Sequence, residues 1–130
     1  MIDHVSIAVR DLASSARFYA SVLAAIGYSR LVTRQGTVGF GKNYPDFWLN
    51  HRPSLSPSAT RDGFHVCLRA SSVHQVEDFF NTAVALGAKA DGAPGFREEY
   101  SDRYFAAFVI DDDGNRIEAV TFVDRPAIDR

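Results

Sequence analysis

Three residues of this 130-residue chain are worth weighing as holders of a divalent cation: His4, His65 and Glu118. Two imidazoles and one carboxylate make a donor set that leaves open positions on an ion for substrate. Imidazole serves zinc, iron, nickel and manganese alike, so a divalent ion is expected without its identity being specified. Each residue also has a plainer reading. A histidine at a strand end is commonly a polar side chain that has found a partner. Glu118 lies in Ile117-Glu118-Ala119-Val120, where an unpaired carboxylate would be costly, and it can pair with Arg69 or Arg116 at a strand rim. The metal reading is favoured because the two histidines fall at matching places in an internal repeat.

The remaining chemistry-bearing residues point less far. His51 and His74 read as solvated. Cys67 shares a face with His65 and reads as a buried, inert thiol. Arg69, on that same face, can hold an anionic substrate group or pair with an acid. Asp111-Asp112-Asp113 lacks the spaced ligands of a calcium loop and reads as part of a hairpin turn with Gly114. No phosphate-binding loop, dinucleotide-binding glycine pattern or nucleophile elbow is present, which excludes those kinase, dehydrogenase and serine-hydrolase chemistries.

The elements that must position these groups come as a repeat. His4 to Phe18 superposes on His65 to Phe79 at an offset of 61, with His4 over His65, Val5 over Val66, Ile7 over Leu68 and Phe18 over Phe79. Val5, Ile7 and Val9 alternate with polar or small residues, as do Val66, Leu68 and Ala70. This is the period of a half-buried strand, and each histidine opens the face opposite the apolar stripe. Asp11 caps a helix whose stripe is Leu12, Ala16, Tyr19, Leu23 and Ile26. Ser72 and Gln75 form a capping box at the start of a second helix, whose stripe is Val73, Val76, Phe79 or Phe80, Ala83 and Leu86. Gly27 and Gly87 end the helices. Strands are expected over 28–34, 37–42 and 47–50, then over 89–93, 104–110 and 115–123. The stretch 91–103 reads as loop-like, 52–63 as a linker, and 124–130 as a frayed tail. The chain is thus expected to be one domain of two βαβββ modules, 2–51 and 64–123.

Composition bounds the rest. Hydrophobic residues make up 46% and charged residues 23%, which suits a globular domain and excludes disorder. The 14 Lys and Arg against 16 Asp and Glu form no basic stripe, so nucleic acid is not an expected partner. No apolar run approaches a membrane span, and the first residues carry no signal-peptide pattern. With one cysteine, a reducing, cytoplasmic setting is expected.

Ile2-Asp3-His4-Val5-Ser6-Ile7-Ala8-Val9 with Asp11-Leu12 and Phe18-Tyr19 resembles the opening of the vicinal oxygen chelate superfamily. That group includes glyoxalase I, bleomycin-resistance proteins, fosfomycin-resistance thiol transferases and extradiol dioxygenases. Gly63-Phe64-His65-Val66 resembles its fifth strand. Tyr104 to Phe108 with Asp111 to Val120 resembles its closing hairpin, Asp112 standing where a proline is usual.

The resemblance implies an α+β fold in which two βαβββ modules form a curled mixed sheet around a central cleft. It implies metal ligands at His4, His65 and Glu118, with Glu118 catalytic. The fourth ligand position falls on Trp48, which cannot bind a metal, a departure from glyoxalase I. Trp48, Asn50, Cys67, Arg69 and Tyr104 are expected to line the substrate pocket. The implied activity is a metal-dependent lyase, isomerase or transferase that chelates neighbouring oxygens of a small substrate. Alternatives are a metal-free, bleomycin-resistance-like binding protein and a small extradiol-type dioxygenase. Trp48, Phe47 and Tyr44 near the cleft lend weight to the binding protein. A homodimer is implied. If its modules pair across chains, His4 and Glu118 are expected in one chain's share of a site and His65 in the partner's.

Overall fold

A computed structural model describes residues 1–56 and 63–124. The first module runs β1 (Val5–Val9), α1 (Leu12–Ala24), β2 (Ser29–Arg34), β3 (Thr37–Gly41) and β4 (Pro45–His51). The second repeats it as β5 (Val66–Arg69), α2 (Val73–Ala85), β6 (Lys89–Phe96), β7 (Tyr104–Ile110) and β8 (Arg116–Phe122). Each module is a four-stranded mixed sheet, in the order β1-β4-β3-β2 and β5-β8-β7-β6. The βαβββ repeat and the glyoxalase-like α+β fold read from the sequence are therefore present, as two separate four-stranded sheets that do not close on each other.

Local chemistry accounts for the helix ends. The Asp11 carboxylate accepts from Ser14 N at 3.0 Å, which satisfies one orphan donor of α1. Ser72 Oγ accepts from Gln75 N in α2, but Gln75 Oε1 reaches Ser71 N and not the cap's own amide. The capping box expected at Ser72 is thus displaced by one residue. Gly27 and Gly87 take φ of +85° and +102°, the left-handed conformation that closes each helix.

Both helices pack on one face of their own sheet, and they also touch each other, so the two module cores merge. Ile7, Val9, Phe47 and Leu49 meet Tyr19, Val22, Leu23 and Ile26 in the first half; Val66, Leu68, Ile117 and Ala119 meet Val76, Phe79 and Ala83 in the second. Fully burying each large apolar side chain contributes about 1.5–3 kcal/mol. Alternation sends Ser6, Ala8, Trp48 and Asn50 to the other face of the first sheet, and Cys67, Arg69, Phe108, Glu118 and Val120 to the other face of the second.

Two expectations need correction. Residues 91–103, read as loop-like, contain the second half of β6, which extends to Phe96. Register shifts between Ala90 and Gly92 and between Gly92 and Gly95 break the two-residue period that would have marked a strand. The second half of the linker expected over 52–63, residues 57–62, lies outside the described residues, as does most of the tail. No described helix is long and apolar enough to cross a membrane.

Candidate metal centre

Glu118 is the most deeply buried carboxylate of the described residues, 2% exposed in the middle of β8. Its register neighbours are Cys67 on β5 and Phe108 on β7. So placed, it needs partners for both oxygens. His65, just before β5, lies with Nε2 2.9 Å from Oε1, and the Tyr104 hydroxyl donates to Oε2. The imidazole also packs on Phe108, ring centroids 5.9 Å apart. The plainer alternative, a pairing of Glu118 with Arg69 or Arg116, does not occur: Arg116 is paired with Asp91, and the Arg69 guanidinium lies over Phe122 at 4.7 Å.

The apolar part of this face is formed by Ala106, Phe108 and Val120, with Tyr104 packed beside them. Desolvation, reinforced by the Glu118 carboxylate, raises the Tyr104 hydroxyl far above its ordinary value. Cys67 is at the edge of the sheet and partly open to solvent, not buried as the sequence suggested. Its thiol is pushed up to about 12 by loss of hydration and by the Glu118 charge. At neutral pH it is a protonated thiol and a poor nucleophile, so its reading as inert survives on other grounds.

His4 has a different setting. It is exposed, with Nδ1 2.7 Å from Asp3 Oδ2. Asp3 in turn accepts from the Tyr44 hydroxyl at 3.0 Å. The hydrogen bonds from His4 and then Tyr44 hold the Asp3 carboxyl below its ordinary range. Asp3 was not legible as a site residue, because an acidic residue ahead of a strand is common. His4 and His65 both line a cleft of about 450 Å³ that runs along β5 and past the start of β1, together with Cys67, Arg69, Tyr28 and Asp46. His4 also lines a second cavity of about 340 Å³ on the first sheet with Trp48 and Asn50.

The structure therefore brings His65, Glu118, Tyr104 and Cys67 together, and holds His4, Trp48 and Asn50 on the other sheet. Among the described residues, no group of three or more His, Cys, Asp or Glu side chains is placed within one chain to hold a metal ion. The division of a shared site expected above is corrected as well. His65 and Glu118 belong to one sheet of one chain, since β5 and β8 are parallel neighbours, so Glu118 is not on His4's side of any module exchange. His51 and His74 are exposed, the first near Arg10 O and the second on Asp78 one helical turn away.

In type, the pair fits a divalent ion. Two donors that each sit about 2.0–2.2 Å from one ion lie roughly 3 Å apart when adjacent in its shell. The 2.9 Å between His65 Nε2 and Glu118 Oε1 matches that spacing, with Tyr104 orienting the carboxylate from behind. In number, one chain falls a donor short.

The model of the Glyoxalase/Bleomycin resistance protein/Dioxygenase superfamily matches residues 1–119. No curated protein matches. Among solved structures, a glyoxalase/bleomycin resistance protein from Albidiferax ferrireducens T118 is 26% identical, with a TM-score of 0.80 over 91% of this chain and 96% of that one. A glyoxalase/bleomycin resistance protein/dioxygenase family enzyme from Burkholderia phytofirmans PsJN is 17% identical, TM-score 0.72, covering 94% of this chain and 98% of that one. The fosfomycin resistance protein FosX from Listeria monocytogenes shares the fold at 16% identity, TM-score 0.67, covering 92% and 91%. With a family match over nearly the whole chain and the paired βαβββ modules described above, the chain belongs to the Glyoxalase/Bleomycin resistance protein/Dioxygenase superfamily.

Proposed function

We propose that this protein is a metal-dependent enzyme of glyoxalase type, a lyase, isomerase or transferase, acting on a small molecule with neighbouring oxygens. The observation that carries the reading is the buried Glu118 held 2.9 Å from His65 on the open face of a sheet. His65 and Glu118 would hold the ion from one chain, and His4 would complete the set from a second copy in a homodimer. When bound, the ion supplies Lewis-acid polarisation of substrate oxygens. The chain's own residues do the rest. Tyr104 keeps Glu118 in one orientation, Asp3 fixes the ring of His4, and the apolar cluster of Ala106, Phe108 and Val120 limits water around the carboxylate. Glu118 is the catalytic residue of this reading: beside a bound ion its carboxylate would be the group to take or return a proton. A single cysteine, with no second one to form an intrachain disulfide, is in keeping with a reducing setting such as the cytoplasm.

A second reading is a metal-free binding protein of the bleomycin-resistance kind. The observation behind it is that His65 and Tyr104 already satisfy both oxygens of Glu118. Metal analysis of protein purified without chelators separates the two. A bound divalent ion lost in both His65→Ala and His4→Ala supports the enzyme; metal-free wild-type protein that still binds a small molecule supports sequestration.

A further inference from the structure

The position where a fourth metal donor would stand holds Trp48, and its setting is built for another purpose. On the open face of the first sheet, Trp48 sits in register between Ser6 on β1 and Gly39 on β3. A β-carbon at Gly39 would come within 2.8–2.9 Å of three carbons of the benzo ring, nearly equidistant from it. Three equal distances along that direction mean that the indole lies face-down on the Gly39 backbone, where any other residue would push it away. Trp48 Nε1 donates to Pro45 O at 3.2 Å, which pins the ring in its plane. Its outer face belongs to the cavity of about 340 Å³ lined by His4, Ser6, Arg34, Thr37 and Asn50. Over it stands the Arg34 guanidinium, 5.6 Å from the ring centroid, which makes no ion pair among the described residues.

We infer that Trp48 is the floor of an aromatic subsite, in which a planar ring bearing an anionic group displaces the exposed Arg34 guanidinium from the outer face of the indole, stacks there, and is met at its charged edge by Arg34. Three features support it. A part-buried indole held by its own strand neighbours presents a π-face of fixed orientation, which favours an aromatic ring over a saturated one. A guanidinium lacking an acid partner and already over an aromatic surface is suited to a carboxylate at the ring's edge. The floor also adjoins His4, so that a ring stacked there presents its substituents toward the proposed ion. The inference deepens the proposed function by naming a substrate class, and it rests on that reading only through His4, which lines both cavities.

The test uses the full-length protein, in which Trp48 is the single tryptophan and its fluorescence reports on the subsite directly. Benzoate and cyclohexanecarboxylate are the probes, equal in charge and similar in size. Benzoate is expected to quench saturably and to bind about three- to tenfold more tightly than its saturated analogue. By calorimetry, Trp48→Leu should erase that preference, and Arg34→Gln should weaken both probes while keeping it. Should Trp48→Leu fail to fold, Trp48→Phe is expected to retain a reduced preference of the same sign. No saturable quenching up to about 10 mM overturns the proposal. So does equal affinity for the two probes, or a preference that survives loss of the ring. Metal content is read on the same samples. Metal-free protein with the ring preference intact would refute the metal reading and leave the aromatic subsite standing.

Discussion

Tyr19 donates its hydroxyl proton to Asp111 at 2.6 Å, a buried bond between the helix of one module and the last turn of the other. Asp111 also accepts from Asp113 N, Asn115 N and Asn115 Nδ2. The same turn reaches β1: Asn115 Nδ2 donates to Ala8 O, while Arg10 donates through N and Nε to Asp113 and through Nη2 to Asp112 O. The turn therefore clasps the first module as well as joining β7 to β8. Tyr19→Phe deletes one donor to a buried carboxylate and is expected to lower stability by about 1–3 kcal/mol. Asp111→Ala orphans several donors and should cost more. Urea denaturation checks both, and a slope unchanged in Tyr19→Phe would confirm that the loss is one of stability alone.

Stability is expected to fall on the alkaline side. Folding raises Cys67 from 9.0 to about 12 and Tyr28 from 10.0 to about 12, each first through burial; Tyr19 and Tyr104 are raised too. Each group keeps its proton longer in the folded state, so its contribution is complete below the unfolded value and is lost as pH rises toward the folded one. Denaturation midpoints should drop between about pH 9 and 12. Tyr28→Phe should flatten that decline, and an unaltered profile in this variant would exclude Tyr28 as a source.

Glu118→Gln keeps the size of the side chain and an oxygen for Tyr104, but removes the charge. Metal content is expected to fall at least tenfold with the fold retained, as read by elemental analysis beside circular dichroism. Tyr104→Phe leaves both donors and releases one carboxylate oxygen, so metal affinity should weaken about 10–100-fold and not vanish.

The proposed homodimer makes a complementation prediction. In a dimer that joins His4 of one chain to His65 and Glu118 of the other, a His4→Ala chain refolded with a His65→Ala chain regains one intact site, both lesions lying in the other. A His65→Ala chain refolded with a Glu118→Ala chain regains none, because those residues share a sheet. Metal content of isolated heterodimers reads the result. Equal recovery in both mixtures would rule out this division.

Much of the architecture is written in periods. Val5-Ile7-Val9 and Val66-Leu68-Ala70 alternate visibly, and Asp11, Ser72, Gly27 and Gly87 mark helix ends by local hydrogen bonding and backbone conformation. What periods do not encode is strand order. That β5 lies beside β8 places Glu118 with His65, a fact about pairing across 53 residues. The second half of β6 was hidden by its bulges. The clasp was hidden by distance: Asp111 reads as a turn residue until Tyr19, 92 positions away, is beside it. Asp3 carried no signal of its own, since its partner Tyr44 is supplied by the β3–β4 turn.

The clasp also sets the mechanics of the cleft. Among the described residues, the side-chain hydrogen bonds between modules gather at the turn of Asp111 to Asn115, against Ala8, Arg10 and Tyr19. His4 stands at the opposite end of β1, six residues from Arg10, or about 20 Å along an extended strand. The clasp and the merged core of α1 and α2 thus fasten the modules at the Arg10 end of β1, whereas the side-chain bonds of the His4 end, through Asp3 to Tyr44, stay within the first module. Glu118 is braced within its own sheet by His65 and Tyr104, so the two ends of the site are anchored independently.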